Sequence, residues 1–541
     1  MSVPGAPTAK EKKYDRQLRL WGAGGQEALE TAHILLVNAT AAGTETLKNL
    51  VLPGAGRFTI IDDAVVTDED LGTNFFLDDS SIGLSRAQKT CELLCELNPD
   101  VKGDYINDSI ENVIKSTPEK LKEFTIVLAT GDIVTSTLLS LDSILYPLDT
   151  PIFVLKCVGF AVTCRLALSE HTIVETHPAS TVDLRLLNPF PELLALAEEK
   201  AGSMNDKSKM NTHDHGHIPY VLILLRALDD WKSTHDDNVP SNYSQKNQFK
   251  SFVRSKMWDA DEENFEEAIA AVLPHFNSPS IPSGTKAVFE DEKTKSLTSS
   301  STNFWIVARA IKDFAEKNNG LLPLPGALPD MKAESKDYIQ LQNVYKSKAR
   351  ADLAAVVEIA KSLLSELGKP ADSISEPEIE TFCKHAGYIK LIRGRSLKQE
   401  YEDSPNAKKI SNEISEPTSL IHYYLGLRAY ESFISEESNT KRVAPGVEDS
   451  SVESDAEKMD KYVTEILDKL SITHSPELLE GTSKAIREIV RVGGGELHNI
   501  SSLAGGIVSQ EIIKVITKQY IPMSNTVVFD GISSRTEVYE L

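Results

Sequence analysis

The segment 34–62, ILLVNATAAGTETLKNLVLPGAGRFTIID, constrains the fold of this chain more than any other. Ile34–Val37 is a continuous apolar run, as expected for a parallel strand that is covered on both faces. Apolar residues then recur at helical spacing as far as Val51, and Arg57–Asp62 has the pattern of a second strand that ends in an acidic residue. The order strand, loop, helix, strand predicts an α/β unit of the nucleotide-binding type.

The loop of this unit has lost most of the glycine that a phosphate-binding loop needs. A dinucleotide fingerprint would place G-x-G-x-x-G where this chain has NATAAG, residues 38–43. Only Gly43, which lets the helix pack closely on the strand, is present. Asn38 and Thr40 occupy the positions of the two glycines that let backbone N–H groups approach phosphate. We interpret the segment as a nucleotide fold that kept its architecture after its own nucleotide site decayed.

Composition limits the class of partner. Lys plus Arg number 57 and Asp plus Glu number 80, for a net charge of −23, which repels nucleic acid and anionic membrane surfaces. The most apolar stretch, Tyr220–Leu228, is too short to span a bilayer, and the N-terminal residues lack the apolar core of a signal peptide. Five cysteines include no C-x-x-C pair, so a reducing compartment, cytoplasmic and nuclear, is expected.

The pattern along the chain predicts three parts. Residues 1–168 alternate helix and strand signals, residues 169–485 have mainly helical periodicity, and residues 486–541 return to α/β. The predicted fold is therefore an α/β, Rossmann-like domain with a large, mainly helical insertion. Three polar stretches are predicted to be exposed linkers, namely 233–250, 278–303 and 436–458.

Several motifs resemble the family of ubiquitin-like-protein-activating enzymes. The N-terminal YDRQLRLWG, the helix TLKNLVLPG and the closing helix with LAGG and QEIIK are similar to segments found across that family. Four segments of the insertion, including Asp214–Pro219 and Pro329–Tyr345, resemble the non-catalytic, regulatory subunits of its neddylation branch. The likeness covers nearly the whole chain apart from the polar stretches.

The resemblance implies a function shared between two chains. The active half of these enzymes adenylates the C-terminal glycine of a ubiquitin-like modifier with ATP and Mg²⁺, and then passes it through a cysteine thioester to a conjugating enzyme. For this chain it implies a pseudo-adenylation domain, a catalytic subunit as heterodimer partner, and contact with the modifier. The conjugating enzyme would be reached only indirectly. ATP and Mg²⁺ would sit on the partner, with no cofactor or metal bound by this chain.

The family's active-site positions can be followed through this sequence. Asp62 keeps the acid at the strand end, but the acid two positions later is Ala64, and a helix lysine is Arg86. Thr73 lies where the active "NRQ" stretch has its phosphate-binding arginine, and Gly131 where the Mg²⁺-holding aspartate belongs, with Asp132 beside it as a partial substitute. Because phosphoryl chemistry depends on positioned cations, these losses predict that the chain alone does not activate ATP.

Arg16, in the YDRQ motif, is the residue for which we expect a direct functional role. The resemblance implies that it reaches across the dimer to the nucleotide phosphates of the other half. A guanidinium supplied in trans would stabilise developing charge and couple catalysis to dimerisation. The alternative is a solvated or interface-pairing charge.

Three further groups have weaker signals. His213, His215 and His217 alternate and so could share one side of an extended segment as metal ligands, although a polar loop is the simpler interpretation. Cysteine packing is expected throughout, and Cys383, the only cysteine of the insertion, lies in no nucleophile motif. Candidate partner contacts lie on the helix that begins near residue 335, which is otherwise a structural helix: Tyr338, Gln342 and Tyr345.

Other functions are kept as alternatives. The small subunit of a SUMO-type activating enzyme lacks an insertion of this length. A non-enzymatic scaffold would leave Arg16 without a purpose. A self-sufficient nucleotide enzyme would need an intact phosphate loop, which NATAAG is not.

Overall fold

The computed structural model describes residues 8–177, 182–277, 280–402, 405–414, 416, 418–436, 443–473 and 476–541. The chain forms two compact units. The first comprises residues 1–171 and 392–541, and the second is Thr172–Leu391. The second unit is therefore inserted into the sequence of the first.

The first unit is built on an eight-stranded sheet. The strands of the chain are β1 His33–Val37, β2 Arg57–Ile61, β3 Lys102–Ile106, β4 Ile126–Thr130, β5 Ile152–Val158, β6 Ala161–Ala167, β7 Glu170–Ile173, β8 Lys390–Arg393, β9 Thr526–Asp530 and β10 Arg535–Tyr539. The large sheet has the order β10-β9-β6-β5-β4-β1-β2-β3, and β7 pairs with β8. The β3-β2-β1-β4-β5 half is parallel, whereas β5, β6, β9 and β10 pair antiparallel.

Among the described residues, seven α-helices precede the second unit, and most of them pack on the parallel half of the sheet. They are α1 Ala9–Lys13, α2 Asp15–Thr31, α3 Ala41–Val51, α4 Asp68–Thr73, α5 Arg86–Leu97, α6 Ile110–Ser116 and α7 Thr135–Leu145. All strand residues of β4 and β5 are buried, as their apolar runs predict. Separate apolar clusters lie on the two faces, one containing Leu47 and Leu50 of α3 and the other Leu138 and Leu141 of α7.

The second unit is almost entirely helical. Its helices are α8 Pro191–Ala201, α9 Thr212–His215, α10 Tyr220–Lys232, α11 Tyr243–Arg254, α12 Glu263–His275, α13 Ser283–Glu290, α14 Glu292–Lys295, α15 Asn303–Lys317, α16 Ser335–Glu366 and α17 Glu376–His385. Two apolar clusters fill it, one around α8, α10 and α12 and the other around α15, α16 and α17.

Six helices then complete the first unit: α18 Leu397–Glu402, α19 Pro405–Ile414, α20 Ile421–Ser435, α21 Val452–Lys469, α22 Pro476–Arg491 and α23 His498–Thr517. Four of them, α19 to α22, share an apolar cluster with β5, β6 and β9. The helical insertion placed at residues 169–485 is thus shorter in the structure, because the second unit ends at Leu391.

The linker predictions were wrong over much of their length. Helix α11 occupies part of 233–250, α13 and α14 lie within 278–303, and α21 begins inside 436–458. Residues 278–279 and 437–442 of these stretches lie outside the described residues. These helices are amphipathic, with exposed polar faces that dominate the local composition.

By length and composition, α23 is the one helix of the described chain that could cross a membrane. More than half of its apolar window is buried, and it packs on α3 at Gly505, where an added Cβ would lie 2.8 Å from the Thr46 backbone nitrogen. A core helix of a globular unit passes the same test of length and composition.

Candidate functional site: a degenerate nucleotide cradle

The loop between β1 and α3 is held together by its own polar groups. Asn38 adopts a left-handed backbone conformation, φ +61°, and its side-chain amide donates to the Thr130 carbonyl at 3.0 Å. Thr40 is the N-cap of α3, and its hydroxyl accepts from Gly43 N–H at 3.3 Å. A Cβ on Gly43 would lie 2.8 Å from Leu36 Cδ1, which explains why this glycine is present.

Two carboxylates accept backbone N–H groups of this loop. Ala39 N–H donates to Asp62 at 2.8 Å, and Ala42 N–H, in the first turn of α3, donates to Glu496 at 2.8 Å. The Ser501 hydroxyl donates to the same Glu496 oxygen at 3.0 Å. In a working phosphate loop such groups would point at the ligand. In this chain the carboxylates of Asp62 and Glu496 accept these N–H groups instead of a phosphate ligand.

Asp62 is saturated with donors. Its two carboxylate oxygens accept from Ala39 N–H, from Ala64 N–H at 2.9 Å and from two guanidinium nitrogens of Arg86 at 2.7 and 3.3 Å. A carboxylate has about four lone-pair sites. The acid that holds ribose hydroxyls in a dinucleotide fold therefore has a structural task in this chain.

Arg86 is neutralised from two sides. Besides Asp62, its guanidinium pairs with Asp70 at 3.1 Å. Burial alone would lower the pKa of Arg86, but the charges and hydrogen bonds of Asp62 and Asp70 outweigh it, and the pKa is raised well above its ordinary value. This cation is permanently charged and already paired, so it is not available to a phosphate group.

Thr73, which stands where the active family members have a phosphate-binding arginine, is contacted by the first residue of α23. His498 Nδ1 lies 2.9 Å from the Thr73 carbonyl, and its ring stacks on Phe75 with centroids 3.6 Å apart. The neighbouring Asn74 is buried and donates to the Thr44 hydroxyl at 3.3 Å.

A lysine sits beside the missing metal ligand. Gly131 has φ +70°, and its carbonyl accepts from Lys156 Nζ at 2.7 Å. The same buried ammonium pairs with Asp132 at 2.8 Å, and the Tyr430 hydroxyl donates to the other Asp132 oxygen at 3.1 Å. Asp132, the expected partial substitute for the Mg²⁺-holding aspartate, is therefore already paired within the chain.

These residues do not fit ATP and Mg²⁺. The structure brings together the sequence-predicted positions around the end of β1, and each is engaged by groups of the chain itself: Asn38, Thr40, Gly43, Asp62, Ala64, Thr73, Arg86 and Gly131. Sequence reasoning missed Glu496, Lys156 and His498. The run Gly493–Gly495 before Glu496 was the one local signal of a tight turn there.

Comparison with known proteins identifies the family of this chain. The model of the ThiF family matches residues 14–541. The chain is 41% identical over 543 residues to the NEDD8-activating enzyme E1 regulatory subunit of Xenopus laevis, covering 98% of this chain and 99% of that protein. It is 40% identical over 543 residues to the Danio rerio protein of the same name, covering 99% of each. The chain belongs to the ThiF family, among the NEDD8-activating enzyme E1 regulatory subunits. The resemblance found in the motifs is confirmed, as is the Rossmann-like adenylation fold.

In this regulatory-subunit chain the N-terminal motif divides into anchors and exposed charges. Tyr14 is buried, its hydroxyl donates to Asp100 at 3.1 Å, and a Cβ on Gly54 would lie 2.9 Å from its ring. Arg16, two residues later in the first turn of α2, is exposed and has no hydrogen-bond or ion-pair partner among the described residues. Arg19, one turn further, pairs with Asp15 at 3.0 Å. The fold thus fixes the motif and leaves Arg16 available.

One of the candidate partner contacts on α16 was wrong. Tyr345 is fully buried, and its hydroxyl donates to the Leu184 carbonyl at 2.6 Å, so it is a core residue of the second unit. Tyr338 is partly buried with its hydroxyl 3.5 Å from the Pro329 carbonyl, and Gln342 accepts from Lys346 Nζ at 2.8 Å. These two remain predictions.

The three alternating histidines do not share one side. His215 is fully buried, stacked on Trp258 and hydrogen-bonded to Glu262 at 2.6 Å, whereas His213 and His217 stack on each other outside. The segment is therefore not a polar loop, because His215 ends the short helix α9 and is a core residue of the second unit.

Cys383 lacks the environment of a nucleophile. The thiol is buried in the α15–α16–α17 cluster, and burial raises its pKa to about 12. A thiol with that pKa is protonated at neutral pH. The packing role expected for the cysteines is met here, and also by Cys91, Cys157 and Cys164, which are buried.

Proposed function

We propose that this chain is the regulatory half of a heterodimeric activating enzyme. The complex adenylates a ubiquitin-like modifier of the neddylation pathway with ATP and Mg²⁺, forms a thioester and passes the modifier to a conjugating enzyme. The catalytic subunit carries the nucleotide, the metal and the reactive cysteine. The observation that carries this proposal is that Asp62, Arg86 and Ala42 N–H, the groups that would meet a nucleotide, are satisfied within the chain.

Arg16 is the residue through which this half assists the chemistry. It is exposed and lies in the first turn of α2, directly after the buried N-cap residue Tyr14. A guanidinium that lies next to a buried anchor can stabilise the charge that develops on transferring phosphate when a partner's nucleotide is placed against it. The name of the relatives, NEDD8-activating enzyme E1 regulatory subunit, supports an assisting role for this chain in place of a catalytic one.

The test of the proposal compares two exposed arginines of α2. We expect Arg16→Ala to leave the heterodimer assembled and to lower ATP–pyrophosphate exchange on the order of 10²-fold, the usual cost of removing one preorganised charge donor. Arg19→Ala removes the same charge one turn away, where it pairs with Asp15, and should leave the exchange rate unchanged. Equal exchange by the two variants would refute the role of Arg16.

Two rival functions are separated by simpler measurements. A scaffold would not change the rate of adenylate formation when it is added to the catalytic chain, whereas a regulatory subunit should raise it. A self-sufficient nucleotide enzyme would bind ATP alone, which the four donors on Asp62 disfavour. Calorimetric titration of ATP into the isolated chain and into the complex distinguishes these cases.

A further inference from the structure

The end of α3 that would face phosphate already holds an anion, the carboxylate of Glu496. Helix α3 spans eleven residues, and its first-turn Ala42 N–H donates to Glu496 at 2.8 Å. A negative charge at a helix N-terminus is favoured by the unpaired N–H groups and the aligned peptide dipoles. The hydroxyl of Ser501, in α23, donates to the same Glu496 oxygen at 3.0 Å.

Glu496 is held in place by the backbone on both sides of it. Gly493 and Gly494 have φ of +64° and +79°, and a Cβ on Gly494 would lie 2.4 Å from Ala444 Cβ. Gly159 N–H then donates to the Gly495 carbonyl at 2.8 Å, which fixes the strand-like link just before Glu496. Helix α23 begins two residues later and supplies Ser501. A tight glycine turn and a helix therefore fix Glu496 on both sides.

An external phosphate would compete for the same donors. It would need Ala42 N–H and Ser501, and its charge would be brought close to that of Glu496 in a partly buried place, where repulsion is stronger than in water. We propose that Glu496 acts as a resident intramolecular anion that fills the phosphate position and excludes phosphate ligands from this half of the enzyme. Nucleotide exclusion is then an active property of the fold, beyond the loss of two loop glycines.

The proposal predicts that an anion site opens when the carboxylate is removed. The probe is inorganic pyrophosphate, because it lacks the ribose for which Asp62 has no free acceptor. In the full chain, Glu496→Ala should show a saturable rise in Tm of about 2–4 °C with pyrophosphate, since a ligand that binds only the folded state stabilises it. The wild-type chain should show no such rise.

Glu496→Gln is the matched control. Its amide oxygen can still accept from Ala42 N–H, but the charge that repels phosphate is gone, so pyrophosphate should stabilise this variant less than Glu496→Ala. Glu496→Ser is a second opening variant, and it should respond as Glu496→Ala does. If neither opening variant unfolds cooperatively in buffer, both should do so when they are refolded with pyrophosphate.

Three results would overturn the proposal. They are pyrophosphate stabilisation of the wild-type chain, a folded opening variant that does not respond, and opening variants that pyrophosphate fails to rescue. The pyrophosphate titration uses the isolated chain, so its outcome does not depend on the proposed pairing with a catalytic subunit. Its failure would leave the Arg16 exchange experiment intact, and failure of that experiment would leave this one intact.

Discussion

Among single residues, His171 makes the stability of the first unit depend on pH. It is buried, its Nε2 has no hydrogen-bond partner among the described residues, and burial together with the charge of Lys518 lowers its pKa to about 4. The unfolded chain has a histidine pKa near 6.5, so the unfolded state binds the proton first as pH falls. The stability contribution is complete above about pH 6.5 and is lost between about pH 6.5 and 4.

The expected loss can be measured against a residue that does not titrate. Between about pH 7.5 and pH 5 the wild-type chain should lose on the order of 2 kcal/mol more unfolding free energy than His171→Gln. Urea denaturation of both chains at the two pH values gives the difference directly. An equal loss in the two chains would show that His171 does not carry this dependence.

For single residues, the sequence shows which nucleotide-binding residues are lost, but not which side chains now occupy their places. The missing glycines, Ala64 and Gly131 are read from local motif positions, because each is defined by its neighbours along the chain. The role of Glu496 could not be predicted in this way, because its partner Ala42 lies 454 positions away in the sequence. Lys156 was hidden for another reason: it lies in a fully buried, mainly apolar strand where a charge is unexpected.

Among the elements, the contact between α3 and α23 depends on one glycine of the LAGG motif. A Cβ on Gly505 would lie 2.8 Å from Thr46 N and 2.9 Å from Glu45 C, both backbone atoms that cannot move aside cheaply. Overpacking of this kind usually costs about 1–3 kcal/mol. Gly505→Ala is therefore expected to lower the free energy of unfolding by that amount.

The adjacent glycine is the control for this prediction. A Cβ on Gly506 meets nothing within 4 Å, and the residue is exposed inside the same helix. Gly506→Ala should therefore raise stability by about 0.5–1 kcal/mol through helix propensity alone. Urea midpoints of the two variants should move in opposite directions, and a Gly505→Ala midpoint at or above that of the wild type would contradict the close packing.

Elements could be predicted from the sequence where a buried face produces a clear apolar pattern. Strands β1 and β2 were located within a residue at each end because they are mainly buried runs of apolar residues. Strand β3, KGDYI, was missed because its side chains are largely exposed and form no apolar pattern. Helix α11 was taken for a linker although Asn242 caps it and Phe249 and Val253 lie one turn apart on its buried face.

For the whole chain, periodicity distinguished helical from α/β stretches but not which core each helix joins. Helices α20, α21 and α22 have the same 3.6-residue pattern as those of the second unit, so the insertion was extended to residue 485. Their apolar partners include Val158 of β5 and Val528 of β9, which are remote in sequence. Membership of a core is a non-local property, and no local pattern encodes it.

Excision of the second unit tests this assignment. The apolar clusters of residues 172–391 contain only residues of that segment, so it should fold alone. The longer segment 169–485 would carry α19 to α21 and part of α22 without β5, β6 and β9, leaving their apolar faces exposed. We expect 172–391 to unfold in one cooperative thermal transition, with near-ultraviolet circular dichroism of fixed aromatic packing. The longer piece should aggregate or bind a hydrophobic dye, and if it were instead soluble and cooperative while 172–391 was not, the core of α20–α22 would belong with the insertion after all.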